Sequence, residues 1–83
     1  MKNTEKYVST KRMEHELRAK LISTAERCTR LTEMSEATIG LKAVKDNTVF
    51  KRIRGGAGFT VKTYDRLIAF MEKAMHGHSE NAT

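Results

Sequence analysis

The sequence predicts an all-α fold of four or five short helices, and three observations carry that expectation. Apolar residues recur at steps of three and four along most of the chain, no segment sustains the alternation of a half-buried strand, and proline is absent. A length of 83 residues suits one compact domain with a single small core. One cysteine excludes an internal disulfide framework, so helix packing, aided by a second copy of the chain, has to supply stability.

The elements follow in order. Residues 1–10 are polar apart from Tyr7 and Val8 and read as a mobile basic arm; Lys2 and Lys6, with Lys11 and Arg12 beyond them, are the cations it would bring to phosphate or a minor groove. From about Lys11 to Leu31, the residues Met13, Leu17, Leu21, Ala25 and Cys28 fall on one helical stripe, while Arg18, Lys20, Arg27 and Arg30 read as a solvated face. The pattern breaks over 31–35. There Ser35 offers a capping oxygen, and Glu36 a favourable first-turn acid, to a second, short helix. Its inward face is Ile39, Ala43 and Val44, with Gly40 where another backbone can approach closely.

Asp46 and Asn47 interrupt that helix, since both favour turns and caps. In the segment TVFKRIR that follows, Phe50 and Ile53 point inward and Lys51, Arg52 and Arg54 point elsewhere; Gly55 and Gly56 stop the helix. Thr60 is the N-cap of a last helix, whose broad apolar face is Val61, Tyr64, Leu67, Ile68, Phe70, Met71 and Met75. That breadth exceeds the need of one small core and suggests a homodimer. The polar tail, 76–83, is expected to be disordered, which leaves a domain over 11–75.

Sixteen Lys and Arg stand against ten Asp and Glu, a net charge of +6 and a pI near 9.8, so a polyanionic partner is the natural inference. The informative run is SEATIGLKAVKDNTVFKRIRGG, two short helices joined by a tight turn, which must cross steeply. The start and outer face of the second helix carry Asn47, Thr48, Lys51 and Arg52, the side-chain types that read base edges in the major groove. Around them Ser35, Thr38, Lys42, Lys45, Arg54, Lys62 and Thr63 suit phosphate contacts, which set register and affinity. The helix N-termini near Ser35 and Thr60 offer backbone N–H groups to the same phosphates. GGAG reads first as a helix stop and turn; no Gly-Lys-Ser/Thr follows it, so it is not a nucleotide-binding loop.

Other chemistries find little support. Cys28 lies on an apolar stripe with no base at a recognisable spacing, His76 and His78 lack further metal ligands, and Asp65 and Glu72 sit between basic neighbours. The expectation is a non-enzymatic protein with no catalytic residue, metal or cofactor. No apolar stretch approaches the ~20 residues that span a bilayer, and MKNTEKYVSTKR lacks the apolar centre of a secretory signal. A cytoplasmic protein without a membrane partner is expected.

Over residues 32–74 the chain resembles the Xre-type regulators, the lambda-repressor and Cro-like helix-turn-helix proteins, especially the small ones of phages and integrative elements. SEATIGLKAVKD corresponds to the first motif helix, NTVFKRIRGG to the recognition helix with its glycine stop, and FTVKTYDRLIAFM to the helix that closes the core. Gly40 matches the family's small residue in the first helix, and Phe50 and Ile53 its buried pair in the second. Asn47, Thr48, Lys51 and Arg52 fall where base-contacting residues lie. The chain departs from the family in lacking the motif-turn glycine, with Asp46 and Asn47 in that region, and in carrying Arg54 where an acid often precedes the final glycine. The resemblance implies a lambda-repressor-like domain that binds operator double-stranded DNA as a homodimer on an inverted repeat and represses transcription. The alternative is a helical protein-interaction module, an antiactivator, whose basic surface meets an acidic protein partner.

Overall fold

The structure is a computed structural model that describes residues 11–82, with side chains for 11–77. The expected basic arm, 1–10, lies outside the described residues. Four helices follow one another: α1 (Lys11–Thr32), α2 (Glu36–Val44), α3 (Val49–Arg54) and α4 (Val61–Ala82). The described chain is all-α, although α1 and α4, at 22 residues each, are long rather than short. α1 packs most extensively on α4, α2 also leans on α4, and α3 closes against α2 and α1.

The core forms where four apolar stripes meet. α1 contributes Leu21, Ala25 and Cys28, α2 contributes Ile39, α3 contributes Val49, Phe50 and Ile53, and α4 contributes Leu67, Met71 and Met75, with Phe59 added from the loop before α4. Each large side chain buried this way contributes about 1.5–3 kcal/mol. Leu17, Ala43, Val44, Tyr64, Ile68 and Phe70 pack around it, partly buried. Met13 and Val61, expected on these stripes, remain 45% and 38% exposed, each in the first turn of its helix.

The caps expected at two helix starts are present. Ser35 Oγ accepts the Thr38 N–H at 3.1 Å, and Thr60 Oγ1 accepts the Thr63 N–H at 3.0 Å. At its far end, α4 continues to Ala82, past the point where a disordered tail was expected to begin. Nothing in 76–82 forbids a helix: proline is absent, and Gly77 costs only about 1 kcal/mol relative to alanine.

Candidate nucleic-acid interface

The α2–turn–α3 unit is built around one close approach. A Cβ added to Gly40 would lie 2.4 Å from the Asp46 carbonyl oxygen and 2.7 Å from Val49 Cγ1, so only glycine lets the turn fold back on α2. Lys45 makes the corner. It caps α2 in the left-handed region (φ 60°), its N–H reaching the Leu41 carbonyl at 2.9 Å, and the Asp46 N–H then returns to the Gly40 carbonyl at 3.2 Å. The turn expected at Asp46 and Asn47 therefore pivots one residue earlier, on a residue type that seldom adopts this conformation.

Asp46 organises the start of α3. Its Oδ1 accepts both the Thr48 N–H and the Thr48 hydroxyl, each at 2.9 Å, and its Oδ2 is ion-paired with Arg52. Hydrogen bonds from the Thr48 backbone and hydroxyl, with the Arg52 charge beside them, hold the Asp46 carboxyl below its usual pKa. Thr48 occupies the N-cap position without a side-chain cap bond of its own, so Asp46, two residues earlier, satisfies the first free amide.

At 100° per residue, the buried trio Val49, Phe50 and Ile53 turns Lys51 directly outward and sets Arg52 and Arg54 on opposite flanks of α3. Those flanks differ in chemistry. Arg54 reaches back to Glu36 on α2 at 2.6 Å and Glu26 on α1 at 3.5 Å, and the Glu36 hydrogen bond raises its already high pKa. It joins three helices, and two carboxylates occupy the guanidinium expected to contact phosphate. Arg52 instead borders an open depression of about 240 Å³ between the turn, α3 and the start of α4, lined also by Val44, Phe59 and Thr63.

A side chain that the sequence places on a solvated face proves central to this region. Arg18 of α1 donates to the Ile53 carbonyl at 2.5 Å and the Ala57 carbonyl at 2.9 Å, and is ion-paired with Glu14. Its guanidinium carbon lies 5.6 Å from the centre of the Phe59 ring, a cation–π contact. The glycine loop thus does more than stop α3: Gly56, at φ 101°, bends the chain so that the carbonyls at the end of α3 and in the loop converge on Arg18. The amphipathic pattern offers no sign of this, since the partners lie 35 and 39 positions away in sequence. By contrast, Lys20, Arg27 and Arg30 are exposed as expected.

The other candidate residues divide by what already engages them. Asn47, Lys42, Lys45, Lys51 and Lys62 are exposed and carry no side-chain hydrogen bond or ion pair among the described residues. The Thr48 hydroxyl is committed to Asp46. Ser35 and Thr38 hydrogen-bond each other at 3.1 Å, as do Thr60 and Thr63 at 3.0 Å, so these hydroxyls first serve their own helices. Among the described residues no three His, Cys, Asp or Glu side chains gather as a metal site, and no helix is long and apolar enough to cross a membrane. Burial raises the Cys28 thiol pKa, partly opposed by its contact with Thr32, as befits an inert core residue. Comparison of the chain with protein-family models, curated proteins and solved structures finds no match.

Proposed function

We propose that the chain is a sequence-specific double-stranded DNA-binding protein that places α3 in the major groove and represses transcription as a homodimer on an inverted repeat. The observation that carries this reading is the outward basic face of α3, with Lys51 and Arg52 exposed above a buried Val49, Phe50 and Ile53. An α-helix fits the major groove, and Arg, Lys and Asn are the side chains that pair with base edges there. Lys42 and Lys45 at the end of α2 and Lys62 at the start of α4 are unpaired cations suited to phosphates, and the net charge of +6 favours the encounter. A lambda-repressor-like, Xre-type regulator acting in the cytoplasm accounts for this combination.

Selection of bound duplexes from a random pool, followed by fluorescence anisotropy at several salt concentrations, tests the reading. A palindromic consensus bound with a steep salt dependence is expected. Failure to retain any duplex at low ionic strength would remove the proposal. It would leave the second reading, a helical module for an acidic protein partner, which Leu41 favours: this α2 side chain is 55% exposed beside Lys42 and Lys45.

A further inference from the structure

The contact that ties Arg52 to the turn has consequences for which base it reads. An exposed ion pair adds little to stability, so stability alone gives weak reason for a carboxylate on the face that would meet DNA. Its geometry says more. Arginine carries five N–H donors in a planar fork. The Nε–H approaches Thr48 Oγ1 at 3.5 Å and one Nη2–H meets Asp46 Oδ2, so both contacts use the side edge of the guanidinium. Thr48 links the set, because its hydroxyl proton goes to Asp46 Oδ1 and its lone pairs remain for Arg52. What stays free is the terminal edge, with one N–H from Nη1 and one from Nη2 lying parallel.

We propose that Asp46 and Thr48 hold Arg52 as a preset fork, so that the DNA recognised by this chain carries a guanine at the base pair facing Arg52. The inference rests on the reading of α3 as a major-groove helix. Two parallel donors match guanine O6 and N7, whereas adenine offers an acceptor beside a donor and the pyrimidines do not present two acceptors in this way. A free arginine has several rotatable bonds and can swing to a phosphate instead; one tethered through its side edge has lost part of that freedom before DNA arrives. Asp46 is thus a positioning residue, and its negative charge also penalises docking in a register that leaves it close to phosphates.

Competition binding tests this with the duplex selected by the wild type and its single-base-pair variants. The wild type should prefer guanine at one position of each half-site by about tenfold. Asp46→Asn keeps an oxygen that can accept the Thr48 N–H but loses the charge. It should cut that preference below about threefold while tightening binding to random duplex, since one negative charge is gone. Thr48→Val keeps the side-chain shape and should weaken the same preference, and Arg52→Ala should abolish it at the same base pair. Both Asp46→Asn and Thr48→Val retaining the full guanine preference would overturn the inference while leaving DNA binding intact. Lack of any duplex binding by the wild type would instead remove the proposed function, and this inference with it.

Discussion

Gly40 and Arg18 determine, from opposite sides, where α3 lies. At Gly40 the atom nearest a new Cβ is backbone, which cannot turn aside as a side chain can, so Gly40→Ala should destabilise the fold by about 1–3 kcal/mol in urea unfolding. A stability equal to the wild type would show that the turn can open freely. Arg18 spreads one guanidinium over two carbonyls within 3 Å and an aromatic face, in a side chain only 18% exposed. Arg18→Lys keeps the charge and loses the fork, and should cost about 1.5–3 kcal/mol because one ammonium cannot serve both carbonyls and Glu14 as the spread guanidinium does. A shift under ~0.5 kcal/mol would show the clamp to be incidental. Only Gly40 of this pair was legible in the sequence. A small residue within a helix signals close approach by its own identity, whereas Arg18 adjoins Leu17 on a charged flank and takes its role from carbonyls that folding brings to it.

Helices announce their starts through caps and their buried faces through spacing, which is why Ser35, Thr60 and the pair Phe50 and Ile53 were legible. The corner between α2 and α3 was not, because a left-handed residue is expected to be Gly or Asn and here it is Lys45. That mismatch has a measurable cost. Lys45→Gly should relieve about 1–2 kcal/mol of left-handed strain. It should lose about 0.4–1 kcal/mol through the freer unfolded chain, for a net stabilisation near 0.5–1 kcal/mol. If Lys45 also contacts a phosphate, the same variant will bind DNA with a salt slope smaller by about 1. Higher stability with weaker binding is the expected pair of results, and lower stability would contradict the strain argument. The start of α3 should respond to acid in a known direction. Because the folded Asp46 has a lowered pKa, its contribution is complete above its unfolded value near 3.8 and disappears as pH falls through the folded value. Asp46→Asn should therefore flatten the loss of stability below about pH 4 in acid titrations, and an unchanged profile would show that this carboxylate does not couple to folding.

Across the whole molecule, the net charge overstates what a polyanion would meet. Of the three arginines and lysines on α3, Arg54 is neutralised by Glu36 and Glu26 and Arg52 is shared with Asp46, which leaves Lys51 as the unpaired cation of that helix. Lys42 and Lys45 on the α2 side and Lys62 at the start of α4 bring the local set to about four per chain, if each meets one phosphate. A slope of log affinity against log salt near −3.6 is then expected for one chain, and near −7 for a dimer on two half-sites. Reading the slope together with the length of the selected consensus gives stoichiometry without assuming it. Two half-sites with a slope of about −7 fit a homodimer, whereas a single half-site near −3.6 means that a monomer suffices and the broad apolar face of α4 serves only the core. Lys62→Ala should lower the slope by about 1 for each bound chain and weaken selected and random duplexes alike, because phosphate contacts carry no sequence information. Arg54→Ala supplies the contrast. It breaks a link among α1, α2 and α3 that already has its carboxylates, so it should reduce stability while leaving the salt slope within error of the wild type; a slope reduced as much as by Lys62→Ala would mean that Arg54 leaves Glu36 and Glu26 for phosphate when DNA binds.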